Sequence, residues 1–498
     1  STPDTMYYFG VRAVDNAGNK SPITADDTTS TSELTLKYSK VDQGTLGAVT
    51  VGSSVYALGD INGDAMAEMA IGGGSGYAGV CVVKGHVDTE TVIDLSKAAS
   101  DPNIQCVDDG LELYQGYLGA LGDINGDGYG DVGVTAFPGG AFEQRIYLGN
   151  SQGFVDGTAA LVVKAANSGD WMTRARAAGN FNGDKHSNNK PLNDLLVTNP
   201  LDNTVYLIPG DPTFATGDPV TIDLAVGADL EAWSVVSIAG IEMGAGDQFG
   251  QTAAGVGNLL PDAGTAYNDI AVGKAMGNSA AYLIPGRALA GGAESLTISG
   301  GLSGNGTEDA NSVKLVGDAP YDEAMFFGIE LVGNADLDDD GALDLVVGQH
   351  NFANGSKSQI YVFYGSSFNS SQGQTVQLGA SVSAGDGIYS SALGLRIEGN
   401  VASVAVPGNF DDASVGQGAS LDLAYGRLGG LSVYGEVYVR LNMLDVSDDG
   451  ALYPYVDLTI EDPWDPGTTK FGAWLLAPVG DVNGDGLPDL LVATDGLG

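Results

Sequence analysis

Four short segments of the chain place oxygen-bearing side chains at the same relative positions, 1, 3, 5 and 9. They read DINGDAMAE at 60–68, DINGDGYGD at 123–131, DLDDDGALD at 336–344 and DVNGDGLPD at 481–489. Alternate residues of a tight loop turn toward one point, and glycine at position 4 or 6 permits the turn. Carboxylate, amide and carbonyl oxygens at this density suit Ca²⁺, which takes about six to eight oxygen ligands. The segments therefore predict calcium-binding loops in which the carbonyl of position 7 is a further ligand.

The same spacing opens an EF-hand loop, so the two kinds of site have to be distinguished. An EF-hand needs a bidentate acid at position 12 and flanking helices. Position 12 is Ile71, Val134, Val347 or Val492 here, and the acid arrives at position 9 instead. The four loops contain no Cys or His, and the three histidines of the chain stand in no zinc spacing. EF-hands and dockerins are thus excluded, and zinc and copper are poor candidates.

Three weaker copies of the loop lie between the four clear ones. They start with Asn rather than Asp and carry a late acid, as in the pairs Asn180 with Asp194, Asn258 with Asp269, and Asn409 with Asp422. Leu260 and Ala413 displace a ligand in the last two copies, so we expect plain hairpins without metal there. For the first copy, a metal site and a plain hairpin are equally compatible with the residues. Together the copies define seven units of roughly 70 residues each.

The residues around each loop repeat as well and identify the elements that position it. A strand of small residues ending in Gly precedes the loop, as in FGAWLLAPVG at 471–480, and an apolar run such as DLVVG at 344–348 follows it. Another strand comes some ten residues later, as in AYLIPG at 281–286. Short strands between Gly, Asn and Asp turns, with no helical period, indicate an all-β protein. About four strands per unit predict a seven-bladed β-propeller built from four-stranded blades.

The charge of the chain restricts its partners. The 498 residues include 63 acidic and 20 basic side chains, which gives a net charge of −43. Nucleic acids and anionic lipid surfaces attract Lys and Arg, so both are excluded as partners. No apolar stretch reaches the ~20 residues of a membrane helix, so direct membrane insertion is not expected. Cation binding and adaptation to high salt both explain the acidic excess, and both readings stay open.

The first residues differ from the repeats. MYYFGVRAVDNAGNKSP at 6–22 resembles the penultimate strand and following loop of a fibronectin type III domain. We therefore expect residues 1–28 to be the C-terminal remnant of such a domain plus linker, and 29–498 to be the propeller, within a longer parent chain with other domains. The sequence ends soon after the second strand of the last repeat. Closure of that blade by the segment LTLKYS at 34–39 is favoured over an incomplete blade.

The cysteines give a hint about the compartment. Cys81 and Cys106 are the two cysteines of the chain, and they admit one local disulfide, which would fit an oxidising compartment. Two buried free thiols are the alternative.

The repeats resemble FG-GAP repeats, the units of integrin α subunits and bacterial integrin-like proteins. The resemblance lies in the strands that start with Phe-Gly, the loop G-D-x-N-G-D-G-x-x-D and the apolar triplet after the loop. The resemblance covers about 44–498. It implies a seven-bladed propeller with Ca²⁺ in the loop between the first two strands of a blade. Carried over to this chain, it implies about four sites. Their ligands are Asp60, Asn62, Asp64, the Met66 carbonyl and Glu68; Asp123, Asn125, Asp127, the Tyr129 carbonyl and Asp131; Asp336, Asp338, Asp340, the Ala342 carbonyl and Asp344; and Asp481, Asn483, Asp485, the Leu487 carbonyl and Asp489. The first site departs from the family, since Ala65 and Glu68 replace the usual Gly and Asp.

The function expected from this resemblance is that of a binding module. We expect an extracellular, secreted or cell-surface propeller, rigidified by structural Ca²⁺, that takes part in cell adhesion or serves as a structural part of a larger protein. Its partner would be a protein or glycan on a cell surface or matrix. An integrin-style heterodimer is not expected, because the chain has no segment like an integrin β subunit. The alternative is a propeller-fold enzyme, a glycosidase or lyase acting on polysaccharide or glycoconjugate. No Ser/His/Asp set is evident and Cys81 lies in the apolar run VCVVKG, so we do not expect an enzyme.

Overall fold

The computed structural model describes most of the chain between residues 113 and 299 and shorter stretches on either side. The described ranges are 6–8, 40–42, 51–73, 80–85, 92–95, 98–107, 113–260 (except 153, 156, 168–169, 171, 173–174, 216–218, 242 and 245), 267–299 (except 278), 312–317, 325–351 (except 339), 358–370, 375–377, 388–391, 394–398, 401–408, 421–427, 436–440, 458–460, 470–482 and 488–495.

The described residues form almost only strands, as predicted. In chain order the first are β1 (Met6–Tyr8), β2 (Lys40–Asp42), β3 (Val51–Gly59), β4 (Glu68–Gly73), β5 (Val80–Val83), β6 (Val92–Asp94), β7 (Ile104–Val107), β8 (Leu113–Gly122), β9 (Asp131–Ala136), β10 (Glu143–Tyr147), β11 (Gly149–Asn150) and β12 (Phe154–Val155). The middle strands are β13 (Leu161–Lys164), β14 (Arg176–Gly179), β15 (Asp194–Asn199), β16 (Thr204–Ile208), β17 (Val220–Asp223), β18 (Val236–Ile241), β19 (Phe249–Gly257), β20 (Asp269–Lys274), β21 (Ala280–Ile284), β22 (Glu294–Ser299), β23 (Val313–Val316) and β24 (Met325–Ala335). The last are β25 (Asp344–Asn351), β26 (Gln359–Phe363), β27 (Thr375–Gln377), β28 (Ile388–Ser391), β29 (Gly394–Glu398), β30 (Val401–Gly408), β31 (Asp422–Arg427), β32 (Glu436–Arg440), β33 (Leu458–Ile460), β34 (Lys470–Gly480) and β35 (Asp489–Asp495). One short helix, α1 (Gly227–Ala232), and the 3₁₀ turns Pro138–Gly140 and Gly365–Ser370 accompany them.

Six blades arise from consecutive parts of the chain, each a meander of four antiparallel strands. Numbered along the chain, blades 1 to 6 contain β3-β4-β5-β7, β8-β9-β10-β13, β14-β15-β16-β18, β19-β20-β21-β23, β24-β25-β26-β29 and β30-β31-β32-β33. In four places, the link between the third and fourth strands also supplies a parallel strand to the outer edge of the preceding sheet. These added strands are β6, β17, β22 and β27, and they tie neighbouring sheets together.

The last repeat does not form a blade of its own, which corrects the predicted count of seven. Among its described residues it supplies β34 and β35, and its sheet is completed by β1 and β2 from the other end of the sequence, in the order β34-β35-β1-β2-β6. We call this the closing sheet. Tyr7 pairs with Ala493 and with Val41. The structure therefore has six blades and a closing sheet shared by distant parts of the chain.

The predictions for the N-terminal region are only partly covered by the described residues. The strand Met6–Tyr8 belongs to the closing sheet, and the rest of 1–28 lies outside the described residues, so the fibronectin-like remnant stays a prediction. The segment 34–39, expected to close the last blade, also lies outside them. The adjacent strand Lys40–Asp42 is the one that pairs there.

The first strands of the sheets pack side by side around a central axis. Each of β3, β8, β14, β19, β24 and β30 contacts its neighbours, and β34 contacts both β30 and β3, which closes the ring. Apolar clusters fill the space between neighbouring sheets, for example between blades 2 and 3, where Leu121, Ile146, Leu195 and Ile208 meet. Fully burying one such side chain stabilises the fold by about 1.5–3 kcal/mol. Every residue of β9, β15 and β20 is buried, as the unbroken apolar runs predict. None of the described helices has the length and apolar character of a membrane span.

Each first strand ends in a β-bulge beside the predicted loop. In five sheets the bulge residue is a glycine with φ between 66° and 73°, namely Gly59, Gly122, Gly179, Gly257 and Gly480. This left-handed conformation has little cost for glycine, which explains the Gly at the end of the predicted strand. In blade 5, Asn334 takes the left-handed conformation with φ of 61°. The bulge turns the chain into the loop, and the acid at position 9 pairs with the bulge residue across the strands.

Candidate metal centre

The repeated loops lie together at one end of the propeller. All first strands run in the same direction around the axis, so the link from first to second strand is always at the same end, which we call the loop rim. Each loop is named here by its first residue. The opposite end carries the links from second to third strand and from one blade to the next, and we call it the far rim.

The Asp at position 1 organises the loop backbone. In the Asp123 loop, Oδ1 accepts a hydrogen bond from the Gly126 N–H at 2.6 Å, and Oδ2 accepts one from the Gly128 N–H at 2.8 Å. Equivalent bonds occur in two other loops, from Gly63, Asp64 and Ala65 to Asp60 and from Asp340 and Gly341 to Asp336. Ala65 adopts a left-handed φ of 73° at position 6, where the other three predicted loops have Gly, so this departure from the pattern is accommodated with some backbone strain.

Positions 3 and 5 form an interlocked pair. The Oδ1 of Asn125 accepts the Asp127 N–H at 3.1 Å, its Nδ2 donates to Asp127 Oδ2 at 3.0 Å, and the Tyr129 N–H donates to Asp127 Oδ1 at 2.9 Å. Asn62, Asp64 and Met66 repeat this pattern in the Asp60 loop. Side-chain oxygens at positions 3 and 5 therefore accept hydrogen bonds from backbone N–H groups of the same loop. This is expected for a loop whose side-chain oxygens turn toward its centre.

Three carboxylates converge in the Asp336 loop. Single oxygens of Asp336, Asp338 and Asp340 lie within 4.8 Å of one another, and no other set of three or more acidic, His or Cys side chains in the described residues does so. The Oδ1 of Asp338 is buried and has no hydrogen-bond partner. Burial, followed by the neighbouring charge of Asp340, raises the pKa of Asp338. A buried oxygen without a donor between two like charges is an arrangement that a cation would stabilise.

The acid at position 9 has a different environment from the other three. Asp131 is buried, its Oδ2 accepts the Ile124 N–H at 2.9 Å, and its Oδ1 accepts the Gly149 N–H at 3.0 Å. It thus joins the start of the loop to the second residue after the third strand. Three other acids accept the same two hydrogen bonds, one on each carboxylate oxygen. They are Asp194 from Phe181 and Gly210, Asp269 from Leu259 and Gly286, and Asp344 from Leu337 and Gly365.

The glycine that donates to this acid was visible in the sequence, but its role was not. It ends the strand motifs such as AYLIPG, and the chain passes very close to it. A Cβ on Gly149 would lie 2.1 Å from the Gly130 carbonyl oxygen, and one on Gly365 would lie 1.9 Å from the Leu343 carbonyl oxygen. Glycine is therefore needed at this repeated position because two backbone segments approach closely there. The close approach brings the glycine N–H within hydrogen-bonding distance of the acid.

Burial shifts the ionisation of the position 9 acids. It raises the pKa of Asp194 and Asp344 to about 7 and that of Asp131 well above its usual range, although backbone N–H donors oppose the shift. Glu68 differs in its contacts, since its longer side chain accepts from the Ile61 N–H at 2.9 Å and from Asn62 Nδ2 at 3.1 Å, and burial raises its pKa to about 7. A nearby cation would favour the charged form of each acid.

The remaining predicted loops are described in part. In the fourth predicted site, Asp489 accepts the Val482 N–H at 2.9 Å, whereas Asn483, Asp485 and Leu487 lie outside the described residues. In the Asn180 loop, Asn182 and Asp184 keep the interlocked pair, and oxygens of Asn180 and Asp184 are buried without a partner. The middle of the Asn258 loop and the whole start of the Asn409 loop lie outside the described residues, but their late acids, Asp269 and Asp422, are both buried.

The two cysteines are bonded to each other. Cys81 in β5 and Cys106 in β7 face each other across neighbouring strands of blade 1, and their sulfur atoms form a disulfide. The bond spans a sequence separation of 25 residues and fastens the outer strand of the blade to the third strand.

Comparisons with known proteins identify no family for the chain and give a distant structural likeness. No protein-family profile and no curated protein matches the sequence. Among solved structures, the chain is similar to one in a structure described as "Crystal structure of an active polycomb repressive complex 2 in the basal state", at 7% identity and a TM-score of 0.40. The match covers 78% of this chain and 66% of that one. The strand pairing and the ring of first strands described above make the chain an all-β protein with a propeller arrangement, independently of this likeness.

Proposed function

We propose that this chain is a calcium-binding propeller that serves as an adhesion, ligand-binding or structural module of a larger secreted or cell-surface protein. The observation that carries the proposal is the convergence of Asp336, Asp338 and Asp340 at the loop rim, with a buried Asp338 oxygen that lacks a donor. Three carboxylates at this distance repel one another in the absence of a cation. Their oxygens are hard ligands, which favour Ca²⁺ over zinc or copper.

The ions in this proposal are structural. They occupy the four predicted loops, with Asp, Asn and Asp at positions 1, 3 and 5 as ligands and the position 9 acid at the base of the loop. Each oxygen of Asp131 accepts one N–H, and a carboxylate oxygen has a second lone pair that can face a metal. The ion would therefore hold the loop to the bulge and to the third strand, and stiffen the loop rim.

The proposal includes the FG-GAP identity of the repeats, with the closing sheet in the place of a seventh blade. Supporting features are the Phe-Gly strand starts, the Gly bulge and the acid at position 9. The disulfide between Cys81 and Cys106 supports an extracellular location, because disulfides persist in oxidising compartments. The partner would be a protein or glycan of a cell surface or matrix, and the chain would act without catalysis.

The test combines a metal count with thermal unfolding. We expect the protein to retain about four Ca²⁺ after dialysis and to unfold at a clearly higher temperature in Ca²⁺ than in EDTA, because a site at ~100 times its Kd stabilises by roughly 2.7 kcal/mol. Asp338→Asn should lower the count by one, while Asp101→Asn, at a turn outside the loops, should leave it unchanged. A protein without bound metal and with equal melting temperatures would contradict the proposal.

The binding role is tested separately on glycan and matrix-protein arrays. Retention that depends on Ca²⁺ is expected, and it should be lost in EDTA together with the thermal stabilisation. Turnover of a polysaccharide or glycoconjugate would contradict the non-catalytic assignment and favour a glycosidase or lyase.

A further inference from the structure

A second group of oxygen ligands lies at the far rim, between blades 2 and 3. Asp170 is in the link from β13 to β14, Asn199 is the last residue of β15, and Asp202 is in the turn from β15 to β16. β15 starts at Asp194 at the loop rim and ends at Asn199, so five residues of extended chain, roughly 17 Å, separate this group from the loop acid. The group is therefore distinct from the repeated loops.

The two carboxylates of this group are held by neighbouring asparagines. Asn167 donates its backbone N–H to Asp170 Oδ2 at 2.8 Å and its Nδ2 to both carboxylate oxygens at 3.3 Å. Asn199 donates its Nδ2 to Asp202 Oδ2 at 3.0 Å. The carboxyls of Asp170 and Asp202 face each other within hydrogen-bonding reach, and the pKa of Asp202 is raised by partial burial, by the Asp170 charge and by this contact.

An unpaired oxygen points to a ligand at this place. Asn199 is 3% exposed, and its Oδ1 is buried with no hydrogen-bond partner, although its amide group lies against the Asp202 carboxylate. Asp170 is 5% exposed, while Asp202 is open to solvent. Within the described part of the chain, no Lys, Arg or His forms an ion pair with either acid. Two neighbouring carboxylates therefore lie beside an amide group that contacts Asp202 through its Nδ2 and whose buried oxygen has no partner, and no ion pair among the described residues balances their charge.

We propose that Asp170, Asp202 and the Oδ1 of Asn199 bind a divalent cation of the Ca²⁺ class at the far rim. The cation would neutralise the carboxylate pair and give the Asn199 oxygen a partner. It would also fasten the link between blades 2 and 3 to the turn of blade 3. Ca²⁺ takes about six to eight oxygens, so three protein ligands leave positions open to water or to an acidic or hydroxyl group of a partner.

A shared proton is the rival explanation for two facing carboxylates. The two explanations differ in what they predict for Asp202→Asn. If the pair binds a cation, the variant loses one ion and part of the stabilisation by Ca²⁺. If the pair shares a proton, the variant keeps the ion count, and its stability changes by the same amount in Ca²⁺ and in EDTA.

The experiment counts bound ions by equilibrium dialysis with Ca²⁺ and monitors Tb³⁺ luminescence excited through tyrosine. Tyr206 is the nearby sensitiser. It lies close enough to Asp202 and Asp170 for their charges, together with burial, to raise its pKa. We expect Asp202→Asn to bind one ion fewer than the wild-type chain and to lose part of the Tb³⁺ emission. Asp170→Asn should do the same, and if it does not fold, the solvent-open Asp202 variant decides the question.

The loop variant Asp338→Asn keeps this proposal separate from the proposed function. Combining Asp338→Asn with Asp202→Asn should remove two ions, one for each site. A count that falls with Asp202→Asn but not with Asp338→Asn would support the far-rim site and contradict the loop site. An unchanged count in Asp202→Asn would overturn the far-rim site, whatever the loops bind.

Discussion

The carboxylate of Asp131 accepts a hydrogen bond at 3.0 Å from the backbone N–H of Gly149, 18 residues further along the chain. Both residues are buried, and the contact joins the end of the loop to the second residue after the third strand. Asp194 and Asp269 make the same contact in loops that have lost the Asp at position 1. The acid at position 9 is therefore part of the fold in its own right, whereas positions 1, 3 and 5 distinguish the loops that we propose to bind calcium.

A methyl group on Gly149 tests the close approach at this contact. We expect Gly149→Ala to destabilise the protein by about 1–3 kcal/mol, because the new Cβ would lie 2.1 Å from the Gly130 carbonyl oxygen and overpacks the site. Urea unfolding measures the change. Gly157→Ala is the matched control, since nothing lies within 4 Å of its Cβ, and it should stay within ~0.5 kcal/mol of wild type. Equal losses in both variants would contradict the explanation.

The acid of a degenerate loop tests the structural role without the contribution of metal. Asp269→Asn leaves one amide oxygen for the three N–H groups of Leu259, Leu260 and Gly286 and turns an NH₂ group toward a donor. We expect a loss of roughly 2 kcal/mol or more, since each buried unsatisfied polar group costs about 1–3 kcal/mol. The loss should be the same in EDTA and in Ca²⁺. A loss that appears only in Ca²⁺ would mean that this loop binds metal after all.

Asp338→Asn should have effects of opposite sign in the two conditions. Without metal, the substitution removes one of three mutually repelling carboxylates and should raise the melting temperature. With Ca²⁺ it removes a charged ligand and should lower the melting temperature. Differential scanning calorimetry in EDTA and in millimolar Ca²⁺ measures both values. A change of the same sign in both conditions would argue against a cation between these residues.

The buried Asp194 predicts a pH dependence of stability. Burial raises its pKa to about 7 in the folded protein, so the folded state binds more protons than the unfolded state between the usual pKa near 4 and about 7. The free energy of unfolding in EDTA should therefore fall as the pH rises through this range, and Asp194 should contribute no further change above it. Asp194→Asn should show a shallower fall over the same range. Parallel curves for wild type and variant would show that Asp194 does not titrate as inferred.

Much of the architecture was predictable because it repeats. The loop spacing, the Gly before it and the apolar run after it recur along the chain, so the all-β class, the propeller arrangement and the start of each second strand followed from the sequence. The number of blades did not follow from the sequence. The strands β1 and β2 come from the opposite end of the chain from β34 and β35, and no local pattern announces a pairing such as that of Tyr7 with Ala493.

The sequence predicted the candidate site incompletely for a similar reason. Periodic spacing revealed the loop acids, but it treated all four positions as equivalent ligands, whereas the backbone contacts of Asp131 appear only when the third strand is in place. The far-rim group has no spacing to reveal it, because Asp170 and Asp202 stand 32 residues apart in the sequence and come together only through the packing of two blades.

The closing sheet has a consequence for the order in which the chain folds. The pairing of Tyr7 with Ala493 requires nearly the whole sequence to exist before the ring can close, and so large a loop is entropically costly to form. On the ribosome, the six blades can form one after another, but the first and last sheets keep exposed apolar sides until the final hairpin emerges. A nascent chain of this protein therefore passes through an open-ring stage, during which the uncovered sides of blades 1 and 6 are available to other molecules.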